Sequence, residues 1–292
     1  MIDQAEKYLK TLDRLPNTIK TYHWALSYYF QIAGESLNDQ SYETFLAAIS
    51  HLSPSSKRVL RSAVMGLYAF CEAGDLNKRE SLNNHYTRKT KTKPVMFDRD
   101  GVEKIIAHCD TLRGTLMKFR DRAFVLTLAD TGFRISELCS LKRGDIDWRD
   151  ERVLITGKGE KTAVVRFSKR SVAALKDYLS ARAGMDGASN KPLESLPLFA
   201  QHGRVTKIKP MTIDGMRKAI RERMKEAGAR VRIHDFRHYF VTMVMMASDG
   251  NLKLAQELAR HESTSTTSRY AHFSTPELDE NYDKIFNKAV AL

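Results

Sequence analysis

The 292 residues exceed the usual span of one domain and predict two, each with enough apolar side chains for a core. With 42% hydrophobic and 28% charged residues, no apolar run near the ~20 residues that cross a bilayer, and acids at Asp3 and Glu6 where an export signal starts basic, the composition argues for a soluble, cytoplasmic protein. A formal net charge of +13 points to a polyanionic partner, nucleic acid before a membrane surface, because binding releases counterions.

Short helices open the chain. Apolar residues recur at helical spacing from Ile19 to Leu26 after Pro16-Asn17-Thr18, with Asn17 as a cap. A second helix is predicted over residues 42–52. A third starts at Ser53, with Pro54 in its first turn, and stops near Gly74. Leu60, Val64, Leu67, Tyr68 and Cys71 mark its apolar face, and Lys57, Arg58 and Arg61 form a basic face that is either solvated surface or a DNA contact. Between residues 81 and 95 periodicity disappears, and residues 85–94, with Arg88, Lys89, Lys91 and Lys93, are basic without an acid. This predicts a domain of residues 1–84, a linker of residues 85–94 that can track a phosphate backbone, and a second domain of residues 95–292.

In the second domain a helix opens at residues 97–100, and a longer one runs over residues 115–131 until Gly132 ends it. Residues 153–156 and 162–167 flank the turn Gly157-Lys158-Gly159-Glu160 as a β-hairpin. Helices then return, broken by a loop over residues 184–197 and an extended stretch near residues 205–208. The Met243-Val244-Met245-Met246 run reads as helix core, and a last helix is predicted over residues 276–289. Cys71, Cys109 and Cys139, odd in number and far apart, argue against disulfides and a zinc site and read as reduced core residues.

Four short segments concentrate cations and imidazoles. In Thr131-Gly132-Phe133-Arg134-Ile135-Ser136-Glu137-Leu138 an arginine opens a helix, against the helix dipole, which suits either a phosphate or an ion pair with Glu137. Lys158 stands on a tight glycine turn. In His234-Asp235-Phe236-Arg237-His238 a histidine and an arginine three apart share a helical face. His261 and Tyr270 bound a polar stretch in which the tyrosine, taken alone, reads as a buried edge residue with a satisfied hydroxyl.

In this order the four segments resemble the tyrosine recombinase or phage integrase family, including its Xer-type and Cre-like members, over residues 97–275. The resemblance implies a mainly α protein with a small antiparallel β-sheet: a helical, SAM-like core-binding domain followed by a mixed α/β catalytic domain. It implies Tyr270 as nucleophile, Arg134 and Arg237 on the nonbridging phosphate oxygens, and Lys158 as general acid. His234 and His261 would serve proton transfer and transition-state stabilisation, with Glu137 in support. No metal or other cofactor is implied. The implied partner is double-stranded DNA carrying specific recombination sites, cut and rejoined through a 3′-phosphotyrosine and a Holliday junction by a homotetramer, with a related recombinase or accessory factor as a further partner. The alternatives are a mobile-element integrase or resolvase, a type IB topoisomerase-like enzyme and a noncatalytic DNA-binding protein. Two positions depart from the family pattern: Arg260 stands where glycine commonly precedes the third-box histidine, and residues 161–166 read Lys-Thr-Ala-Val-Val-Arg.

Overall fold

The computed structural model describes residues 2–14, 16–71, 95–156, 162–202, 208–261 and 264–270. Lys158, Arg88, Lys89, Lys91, Lys93, the extended stretch near residues 205–208 in most of its length, and the helix expected over residues 276–289 lie outside the described residues. The chain divides into two compact units, Met1–Lys91 and Thr92–Leu292.

The first unit contains α1 (Ile2–Thr11), α2 (Pro16–Ala33), α3 (Asp39–Ala48) and α4 (Pro54–Phe70). The sequence reading did not anticipate α1, and α3 starts and ends earlier than the 42–52 expected. For α2, Pro16 already lies inside the helix, so Asn17 is not its cap. Capping explains the starts of α3 and α4. The Asn38 side chain accepts from the Ser41 N–H, and Ser53 accepts from Ser56 ahead of Pro54. Tyr29, Tyr42, Phe45, Leu60, Leu67 and Tyr68 are among the residues closing the core. Tyr29 and Tyr68 join hydroxyls at 2.6 Å, which satisfies polar tips that burial would otherwise leave costly.

Of the three α4 cations, Arg61 departs from the expected basic face. Arg61 is 3% exposed, so it is no solvated surface residue, and the Lys57 ammonium is tied to the Ser50 carbonyl. Arg58 alone of the three is exposed.

The second unit is built on α6 (Leu116–Thr131), which follows α5 (Arg99–Asp110) and is buried along almost its whole length from Arg120 to Thr131. Its buried charges are paired, Arg120 with Asp121 at 2.7 Å and Arg122 with Asp110 at 3.1 Å and Asp177 at 2.8 Å, so the helix can lie at the domain centre. Here α6 packs against α5, α8 (Lys169–Gly187), α9 (Ile213–Glu226) and α10 (Asp235–Ala247). The remaining elements include α7 (Ile135–Ser140), α11 (Leu252–Ala259), the short α12 (Thr264–Thr267) and three strands, β1 (Ile146–Asp147), β2 (Arg152–Thr156) and β3 (Thr162–Arg166).

The strands form an antiparallel sheet in chain order, with Val153 facing Ile146 on one side and Val165 on the other. The hairpin matches the sequence reading; the two-residue β1 adds a strand too short to leave a pattern. Val153 and Ile155 point inward while Leu154 is 62% exposed. Cys109 and Cys139 are buried, and burial pushes their thiols up to about 12 and about 11. Cys71, half-buried at the end of α4, packs at the edge of the first unit's core. Of the methionine run, Met245 enters the core and Met246 stays 46% exposed.

Candidate active site

The site begins where α6 stops. Gly132 caps that helix at φ +61, and a Cβ there would lie 2.4 Å from the Phe240 ring, so both conformation and space require glycine. The reversal delivers Arg134 to the N-cap of α7, where Glu137 closes back on it. The Arg134 backbone N–H donates to Glu137 Oε2 at 2.9 Å and its guanidinium to Oε1 at 2.7 Å. The predicted ion pair is therefore present, with the Arg134 side chain still 46% exposed.

Arg237, in the first turn of α10, is 3% exposed. It donates to the Gly132 carbonyl at 2.5 Å and to the Ala259 carbonyl, tying the end of α6 to the end of α11. Asp235 anchors that turn by accepting from the Arg232 backbone and guanidinium. His234 is the N-cap of α10, and its ring meets His238 edge-on at 4.6 Å.

Tyr270 packs among Val95, Val241, Met245, Ala255 and Ala259 at 2% exposure, and its hydroxyl is hydrogen-bonded to His238 Nδ1. His261 lies nearly parallel to the tyrosine ring at 6.4 Å and is held by Thr267 at 2.9 Å. Arg134, Glu137, His234, Arg237, His261 and Tyr270 thus converge. The tyrosine also matches its plainer reading, a buried ring with a satisfied hydroxyl.

Two residues of the cluster were named in the sequence reading without a site role. His238 lies four residues after His234, on the same helical face, so the spacing carried the signal. Arg260 reaches Glu137 Oε2 at 3.3 Å and stands 5.2 Å over the Phe133 ring.

The electrostatics follow from burial among cations. Burial, then Arg237 and Arg134, pushes His261 down to about 4; burial, then His234, does the same for His238; His234 is lowered by burial and Arg237. Burial raises Tyr270 to about 12 against the pull of Arg237, and lowers Arg237 to about 10 with help from Arg134 and Arg260. Burial opposes the Glu137 charge, but the Arg134 hydrogen bonds and the Arg260 charge outweigh it and hold the carboxyl below its usual range. The cluster so holds neutral imidazoles, a protonated phenol and guanidiniums in excess of carboxylates.

Residues 96–277 match the family model described as the phage integrase family. The chain belongs to that family. Tyrosine recombinase XerA of Thermococcus onnurineus is 29% identical over 285 residues, covering 97% of this chain and 94% of the relative. Tyrosine recombinase XerC of Lactobacillus delbrueckii subsp. bulgaricus is 30% identical, over 86% of this chain and 84% of its own. Among solved structures, XerH recombinase in a post-cleavage complex with palindromic difH substrate superposes with a TM-score of 0.66 at 22% identity, over 91% of this chain and 79% of that one. The Tn1549 transposon integrase, in complex with transposon right end DNA, gives 0.64 at 15% identity over 97% and 98%. These likenesses show the fold. The whole cluster of this tyrosine recombinase lies inside the family match, whereas α1–α4 precede it and are reached by the full-length relatives.

Proposed function

We propose that this enzyme performs conservative site-specific recombination on double-stranded DNA through Tyr270. The observation that carries the reading is the convergence of the Tyr270 hydroxyl with His238, His261 and the backbone-anchored Arg237 at the junction of α6, α10 and α11. The Tyr270 oxygen attacks the scissile phosphorus as the bond to the 5′-oxygen breaks. The products are a 3′-phosphotyrosine and a free 5′-hydroxyl, with the phosphodiester energy retained and no ATP required.

Arg237 and Arg134 hold the nonbridging oxygens, and a guanidinium suits this because it stays charged and matches phosphate geometry. Arg237 is fixed in advance, so it needs no reorganisation as charge develops. Arg134, half exposed, exchanges Glu137 for phosphate. Lys158 protonates the leaving 5′-oxygen, His234 accepts the proton that Tyr270 gives up or donates to a phosphate oxygen, His261 stabilises the transition state, and Glu137 orients the arginines.

The first unit contacts the core site, residues 85–94 follow the backbone between the units, and residues 276–289 dock on a neighbouring subunit of a homotetramer. Strand exchange then passes through a Holliday junction, in the cytoplasm and, in a bacterial or archaeal host, on the nucleoid.

The decisive experiment incubates the protein with nicked, site-containing DNA and excess chelator. A covalent protein–DNA band is expected from the wild type and none from Tyr270→Phe. Loss of the band with chelator defeats metal independence, and survival in Tyr270→Phe defeats the nucleophile.

A further inference from the structure

Arg260 occupies a backbone position that suits glycine. It caps α11 at φ +57 and ψ +45, in the left-handed region where a side chain is strained, as Gly132 does for α6 without that strain. The guanidinium so placed is 9% exposed and reaches back to Glu137. Its bonds are long: 3.3 Å to Glu137 Oε2, 3.3 Å to the Gly132 carbonyl, 3.4 Å to the Leu258 carbonyl and 3.5 Å to the Thr131 carbonyl, while its buried Nε has no hydrogen-bond partner among the described residues. Arg134 holds the other carboxylate oxygen at 2.7 Å. One carboxylate thus sits between two guanidiniums, one half exposed and tightly bound, the other buried and loosely bound.

We infer that Arg260 is a positioning residue that keeps Glu137 neutralised when Arg134 turns to the scissile phosphate. This rests on the phosphate-binding reading of Arg134 above. Without Arg260, that turn would leave a largely buried carboxylate unpaired beside an incoming anion, which costs desolvation and adds like-charge repulsion. With Arg260 already on Oε2, the carboxylate keeps a partner and the long bonds can shorten.

The test is single-turnover cleavage of nicked suicide DNA by saturating protein. Arg260→Gly relieves the left-handed strain and Arg260→Asn tolerates it, so at least one keeps its Tm within a few degrees of the wild type. Either is expected to cut about tenfold more slowly, the size of a coupling between neighbouring charged groups. In a Glu137→Gln background the same substitution should change the rate less than about twofold, since no carboxylate remains to neutralise. On DNA with a neutral methylphosphonate at the scissile position the loss should likewise shrink. Wild-type rates in both variants, or an equal loss with Glu137→Gln present, overturn the inference. Absence of any covalent adduct with the wild type would instead refute the proposed function.

Discussion

The α10 end of the candidate site and the α4 face of the first unit both present arginines, and they hold charge in opposite ways. Arg237 is buried and its two donor arms are occupied by the carbonyls that end α6 and α11. Arg58 is exposed on a helix surface. A fixed guanidinium is spent on geometry: it can stabilise charge that appears at one place and one moment. A mobile one is suited to general attraction, which acts over a Debye length and fades with salt. Charge count alone does not distinguish the two, and the +13 net charge says nothing of how it is divided between them.

That contrast breaks most severely at Arg237. Arg237→Ala should lower the single-turnover cleavage rate by about 10²–10³-fold, the usual loss for one preorganised donor. It should also cost about 1–3 kcal/mol of stability, because the Gly132 and Ala259 carbonyls lose a buried donor. Affinity for site DNA, measured by anisotropy at fixed salt, should change only a few-fold. A large affinity loss with an unchanged rate would place Arg237 among the diffuse attractors.

On α4 the expected pattern reverses. Arg58→Ala should leave the cleavage rate at saturation unchanged and reduce the slope of log affinity against log salt by about 0.9, the value for one phosphate contact. Arg61→Ala should leave that slope alone and lower Tm, since a 3% exposed guanidinium contributes to packing and internal bonding. An unchanged slope in Arg58→Ala would remove α4 from the DNA-facing surface.

How far these roles are legible in the chain depends on whether their cause is local. The Thr115 cap, the Gly132 stop and the Val153–Val165 pairing each follow from residues close in sequence, and the expected helix and hairpin stand in the structure. Arg134 beside Glu137 is a three-residue relation and was legible as an ion pair. Arg61 was not, because helical periodicity marks one apolar face and cannot tell which cations on the rest are covered by other elements. The His238–Tyr270 contact joins residues 32 apart, and the Arg260–Glu137 contact joins residues 123 apart. The motifs identified the chemical groups, while these pairings depend on how α10 packs against α6 and α11 against α10.

The smallest effect concerns His238, whose environment separates a fixed site from a titrating surface. Burial and His234 hold its folded value near about 4, against 6.5 for the unperturbed group, with Asp235 opposing and Arg232 and Arg269 assisting. Between those values the unfolded chain carries a proton that the folded chain does not. Stability is therefore complete above the unfolded value and falls as pH drops toward about 4. His261 and His202 act in the same direction, so several protons contribute to the acid loss. His238→Asn keeps a hydrogen-bonding side chain opposite the Tyr270 hydroxyl but cannot titrate. Near pH ~5 its unfolding should take up about one proton fewer than the wild type, seen as a shallower fall of Tm with acidification. An unchanged Tm–pH slope would mean that the folded site already accepts that proton, and that His238 behaves as an exposed histidine would.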